Sequence, residues 1–122
     1  MHQIQCVLVV EDEPIVRFFI AGQLRDQGYA VVEAETGEKA IALLSETDHR
    51  PITAVFTDIE LSGRLSGWDV ADAFRQAHPQ IRIIYTSGHS QDTQRRVSRS
   101  TFLAKPYLPA DVFGALGFVE HR

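Results

Sequence analysis

Cys6-Val7-Leu8-Val9-Val10-Glu11-Asp12-Glu13-Pro14 is the stretch whose reading decides the fold. An uninterrupted apolar run suits a strand buried on both faces rather than one with a solvent face. Acidic residues close it, and Pro14 follows where the first turn of a helix tolerates a missing N–H. The strand spans 4–10 and passes at its C-terminal end into a helix. Ile15, Phe18, Phe19, Ile20 and Leu24 offer that helix an apolar face, and Gly28 ends it.

Working outward, the same unit recurs. Ala30 to Ala34 forms a second strand, and Thr36 caps a helix with Ala40, Ile41, Leu43 and Leu44 facing inward. A third strand over 52–57 runs into Asp58. Ser66 and Asp69 have capping-box spacing, and Val70, Ala73, Phe74 and Ala77 give the next helix its stripe before Pro79 stops it. Ile81 to Tyr85 makes a fourth strand leading into Thr86-Ser87. From His89 to Ser100 the chain is polar, carries Arg95, Arg96 and Arg99, and has Val97 as its one large apolar residue. That segment holds at most a short or mobile fourth helix. Thr101 to Ala104 makes a fifth strand running into Lys105-Pro106, and Pro109 opens a last helix through Val112, Phe113 and Leu116. Alternating apolar strands and amphipathic helices predict a three-layer α/β fold, (βα)5, with a parallel sheet covered on both faces.

The chain has 122 residues, read as one domain over 1–122, and its apolar share of 44% suffices for a packed core. No segment is long and apolar enough for membrane insertion, and the N-terminus lacks a secretory layout. The single cysteine, Cys6, excludes an internal disulfide framework and reads as a buried thiol. A net charge of −4 argues against direct nucleic-acid binding, and a cytoplasmic location fits the whole. His2, His49, His78, His89 and His121 show no metal-ligand spacing and read as surface residues; Trp68 reads as packing against the sheet or a loop. Arg95, Arg96 and Arg99 read as a solvated basic face.

Parallel strands bring their polar C-terminal signals to one sheet edge, where ligands of such folds bind. Asp12 and Asp58 then offer carboxylate oxygens to a Mg²⁺ ion, with Glu11 acting directly or through water and the Glu60 backbone carbonyl adding another ligand. Clustering carboxylates is otherwise costly, roughly 4 kcal/mol for two charges about 4 Å apart at an effective dielectric near 20. Asp58 is the candidate nucleophile, since a carboxylate can attack phosphorus and become an acyl phosphate. The charge on a transferred phosphoryl group is spread over its oxygens. Mg²⁺, the Lys105 ammonium and the Thr86 hydroxyl can answer them.

As a set, Val7-Leu8-Val9-Val10-Glu11-Asp12-Glu13-Pro14, Phe56-Thr57-Asp58, Tyr85-Thr86-Ser87-Gly88 and Lys105-Pro106-Tyr107 resemble the bacterial response-regulator receiver domain, over essentially the whole chain. The resemblance implies a flavodoxin-like sheet of order 2-1-3-4-5. It implies a two-component phosphorelay in which Asp58 takes a phosphoryl group from a phosphohistidine on a sensor histidine kinase or phosphotransfer protein. It implies Mg²⁺ at Glu11, Asp12, Asp58 and the Glu60 carbonyl, phosphoryl contacts from Thr86 and Lys105, a switch made by Thr86 and Phe102, and a cis Lys105-Pro106 bond. Such a protein is no enzyme beyond its own phosphorylation and dephosphorylation, and is expected as a monomer or weak dimer with a downstream protein target.

Departures from the pattern are visible. The family's usual proline after the acceptor is Ser62 here, in a loop one residue longer, as in receivers of the hybrid-kinase type. The Thr86-to-Phe102 span is short, and its first residues resemble a subgroup with a Thr-Gly motif. Phe102 has no hydroxyl for a phenolic readout. Two competing readings are a small phosphatase with an aspartyl nucleophile and an unphosphorylated binding scaffold.

Overall fold

The computed structural model describes residues 5–46, 48–89 and 95–117. Five parallel strands, β1 (Cys6–Val10), β2 (Ala30–Ala34), β3 (Ala54–Asp58), β4 (Arg82–Ser87) and β5 (Ser100–Ala104), form one sheet in the order β2-β1-β3-β4-β5. Helices α1 (Pro14–Asp26), α2 (Gly37–Ala42), α3 (Gly67–Ala77) and α4 (Pro109–Ala115) cover it, and a 3₁₀ turn, Leu43–Ser45, extends α2. The predicted three-layer arrangement and its sheet order 2-1-3-4-5 are the observed ones.

Each strand serves both layers because successive side chains point to opposite faces. Leu8, Val10, Val55, Ile83 and Tyr85 line one face and meet Val70, Ala71 and Phe74 of α3. Val7, Val9, Ala54, Phe56 and Ile84 line the other and meet Ile20 and Leu24 of α1 and Val112 of α4. Cys6 is buried, as its position in the run predicts. The cap of α3 also follows its spacing: the Ser66 hydroxyl accepts from Asp69 N–H, and the Asp69 carboxylate accepts from Ser66 N–H at 2.8 Å.

Where the layers differ from the sequence pattern, the reason is rotational. In α1 the sheet-facing residues are Ile20, Ala21 and Leu24, while Ile15, Phe18 and Phe19 stand 82%, 63% and 57% exposed. At about 100° per residue these are two stripes on opposite sides of the helix. Arg17 lies on the inward side, where it donates to the Glu33 carboxylate of β2 at 3.2 Å and to the Glu11 carbonyl at 2.9 Å. In α3, Ala71 replaces Ala73 and Ala77 among the buried residues.

Between β4 and β5 the described residues 88, 89 and 95–99 form no α-helix; positions 90–94, also within the predicted fourth helix, lie outside the described residues. Residues 95–99 are fastened to α3 and β4 instead. Val97 N–H donates to the Tyr85 hydroxyl at 3.0 Å, and Arg75 of α3 donates to the Ser98 carbonyl at 2.6 Å. The three arginines are therefore not a free basic face. Arg95 pairs with Asp72 and Asp69 at 2.8 and 3.2 Å, Arg96 bonds Ser100, and Arg99 donates to the Pro79 carbonyl at 3.1 Å. Trp68 is buried, with its ring 4.7 Å from that of Tyr85.

Candidate functional site

The C-terminal ends of β1, β3, β4 and β5 converge at one edge. Glu11 follows β1 directly and is drawn inward because its N–H continues the ladder to the Ala34 carbonyl at 3.1 Å. Its carboxylate, 3% exposed, accepts from Glu13 N–H at 3.1 Å. Asp58 is the last residue of β3, opposite Thr86 in the β3–β4 register and 5% exposed. The strand end lies tight against the start of α3: a Cβ on Gly67 would sit 2.2 Å from the Asp58 carbonyl oxygen. Only glycine permits that approach.

Oxygen atoms from Glu11, Asp12 and Asp58 all lie within 4.8 Å of one another. Lys105 reaches them from the end of β5, across a cis Lys105-Pro106 bond, and the Lys105 N–H holds the Ser87 carbonyl at 2.9 Å. Its ammonium stands 2.7 Å from Asp58 Oδ2 and 3.6 Å from Glu11 Oε1. Asp12 is tied to the loop after β3, with its Oδ2 accepting from Ser62 N–H at 3.0 Å and from the Ser62 hydroxyl at 2.7 Å.

Charge in this pocket is unbalanced. Burial pushes the Glu11 carboxyl up to about 7, with the Asp58 charge adding to the effect. Burial likewise raises Asp58, even against the hydrogen bond and charge of Lys105. Partial burial pushes Asp12 upward too, but its hydrogen bonds together, the two from Ser62 foremost, outweigh it and hold that carboxyl below its ordinary range. Burial pulls the Lys105 ammonium down, yet Asp58 and Glu11 leave it above its ordinary value. Tyr107, packed edge-on against Phe56, is pushed up to about 12 by burial and by the nearby Glu11 charge. Fully ionised, three carboxylates face one ammonium, and each close carboxylate pair costs about 3–4 kcal/mol at an effective dielectric near 20.

Two buried oxygens here have no hydrogen-bond partner: Asp58 Oδ1 and Thr86 Oγ1. Buried polar atoms are rarely left so. An all-oxygen donor set, an excess of negative charge and an unsatisfied carboxylate oxygen fit a hard divalent cation. The partnerless hydroxyl fits a further oxyanion beside Asp58.

The remaining sequence candidates lie around this centre. The Glu60 carboxylate, in the loop after Asp58, accepts from the Ser87 hydroxyl at 3.0 and 3.2 Å. Phe102 sits on β5 opposite Tyr85 in register, half-buried against the α3-side core. Two contributors went unnoticed in the sequence: Ser62, marked only as a missing proline, and Arg17, not singled out at all, which donates to the Glu11 carbonyl from α1.

Comparison with known proteins places this arrangement. The family model described as "Response regulator receiver domain" matches residues 7–116. The chain is 33% identical over 106 residues to the nitrogen assimilation regulatory protein NtrX of Azorhizobium caulinodans, covering 83% of this chain and 23% of that protein. It is 31% identical over 105 residues to the sensor kinase CckA of Brucella abortus, covering 83% of this chain and 11% of that one. It thus spans less than a quarter of either relative. A solved response regulator receiver protein from Sinorhizobium medicae superposes with a TM-score of 0.87 at 31% identity, covering 94% of this chain and 93% of that one.

Proposed function

The chain belongs to the response-regulator receiver domain family, and from that membership we propose that it accepts a phosphoryl group on Asp58 from the phosphohistidine of a sensor kinase or phosphotransfer protein. One Asp58 carboxylate oxygen attacks phosphorus, an O–P bond forms, the N–P bond breaks, and the imidazole leaves with the electron pair. Glu11, Asp12, Asp58 and the Glu60 carbonyl would hold Mg²⁺, which would supply charge neutralisation at the phosphoryl oxygens. Lys105, 2.7 Å from Asp58, holds the carboxylate and answers a second oxygen. The Thr86 hydroxyl donates to a third.

The observation that carries this reading is the pair of partnerless buried oxygens, Asp58 Oδ1 and Thr86 Oγ1, on residues opposite each other in the β3–β4 register, with the Lys105 ammonium 2.7 Å from the other Asp58 oxygen. Ile15, Phe18, Phe19 and the exposed Leu108 support the choice of donor. They lie just after Asp12 and Lys105 in sequence, on elements covering the same sheet face, and offer an apolar seat to a phosphohistidine-bearing partner. The acyl phosphate then draws Thr86 toward it, and Phe102 turns into the space released. A downstream protein that binds the altered β4–β5 surface better shifts the population toward it. The protein works in the cytoplasm and turns over no separate substrate.

The test is phosphorylation by a small phosphodonor with Mg²⁺, read by intact mass. Wild type is expected to gain one phosphoryl group and Asp58→Ala none. A wild type that gains nothing from a small donor or a matched kinase, or an Asp58→Ala variant that gains as much, overturns the reading.

A further inference from the structure

Asp12 is held differently from the other carboxylates of the pocket. Glu11 and Asp58 are fixed by burial and by the Glu13 N–H and Lys105. Asp12 is only half-buried, and its carboxylate is oriented from outside its own strand end, by Ser62. Both donors of Ser62, backbone and hydroxyl, converge on one oxygen, Asp12 Oδ2, at 3.0 and 2.7 Å.

The loop that delivers Ser62 is itself anchored. Arg64 N–H donates to Glu38 Oε2 of α2 at 2.9 Å. Gly63, between the two anchors, has φ +94°, and a Cβ there would lie 2.9 Å from Glu38 Oε1. A side chain at 63 would be strained and crowded, so this glycine lets the loop lie against α2 while Ser62 faces Asp12. Glu38, Gly63, Ser62 and Asp12 thus form a continuous line of contacts from α2 to the carboxylate cluster.

We infer that Ser62 is a positioning residue for the divalent cation: its paired hydrogen bonds set the orientation of the Asp12 carboxylate, so that cation affinity depends on a residue that is not itself a ligand. The inference rests on the proposal that Glu11, Asp12 and Asp58 hold the cation. Hydrogen-bonded partners of metal ligands, when lost, typically cost 10–100-fold in affinity. Ser62→Ala keeps the backbone donor and loses the hydroxyl; Ser62→Pro loses both, since proline has no N–H.

The experiment is a Mg²⁺ titration of the full chain by calorimetry, with unfolding temperature in EDTA as the check on folding. Wild type should bind with measurable affinity, Ser62→Ala about 10-fold more weakly, Ser62→Pro more weakly still, and Ser62→Thr, which restores a hydroxyl, close to wild type. In an Asp12→Asn background Ser62→Ala should change affinity no further, the non-additivity expected of residues in contact. Unchanged or tighter Mg²⁺ binding by a folded Ser62→Ala protein, or full additivity with Asp12→Asn, overturns the assignment while leaving the cation site standing. A wild type that binds no Mg²⁺ overturns both.

Discussion

Replacing Glu11 by glutamine removes one negative charge from the pocket with little change of shape. The Glu13 N–H at 3.1 Å still finds an acceptor, because a glutamine side chain keeps a carbonyl oxygen. Burial raises the Glu11 carboxyl from 4.5 to about 7. A folded-state value above the unfolded one means that this group's contribution is complete at low pH and is lost as pH rises through about 7. The difference amounts to about 3 kcal/mol at pH 8, about 2 at pH 6 and below about 1 at pH 5. Metal-free Glu11→Gln should therefore exceed wild type in stability by these amounts, or about 10 °C in unfolding temperature at pH 8 for a domain of this size. Urea or thermal unfolding in EDTA across this pH range measures it. With saturating Mg²⁺ the ranking should narrow or reverse, because binding to the native state stabilises wild type and the variant lacks a ligand. A variant equal to or weaker than wild type at pH 8 without metal, or an advantage that does not shrink toward pH 5, would refute the idea that burial of this charge strains the pocket.

Three further outcomes follow from individual contacts. Thr86→Val removes a hydroxyl that has no partner, so unphosphorylated stability should hold or rise by up to about 1 kcal/mol while phosphorylation of Asp58 slows, read by chemical denaturation and intact mass. Gly67→Ala places a Cβ 2.2 Å from the Asp58 carbonyl oxygen and 2.8 Å from Ile59 Cα; a loss of several kcal/mol, or failure to fold, should appear in thermal unfolding. Tyr85→Phe leaves the Val97 N–H without its 3.0 Å acceptor, costing about 1 kcal/mol and accelerating hydrogen exchange at that amide.

Polar residues closing apolar runs were readable as strand ends because a parallel sheet buries its strands on both faces. Val10 to Glu11 and Ala104 to Lys105 mark the point where the core stops and the ligand edge begins. The same logic made Asp58 legible, although it and Thr86 lie within their strands rather than after them. The inward face of α1 was not legible. Its apolar residues occupy two opposite stripes, and composition favours the Phe18–Phe19 side, whereas packing against the sheet needs the slimmer Ala21 beside Ile20 and Leu24. Nor could the arginines of the β4–β5 segment be read. A polar, basic stretch looks solvated until the third dimension brings Asp69 and Asp72 beneath Arg95. Ser62 was visible only as a missing proline, since its role depends on a bond across 50 positions.

The tryptophan at position 68 is the chain's single one, and its surroundings give it a use. Its neighbour Gly67 abuts the acceptor strand, and its indole leans on Tyr85, the residue before Thr86. Light absorbed there samples both strand tips at once. Unlabelled protein excited at the indole band therefore carries its own optical gauge of events at the pocket, free of background from any second emitter of that kind.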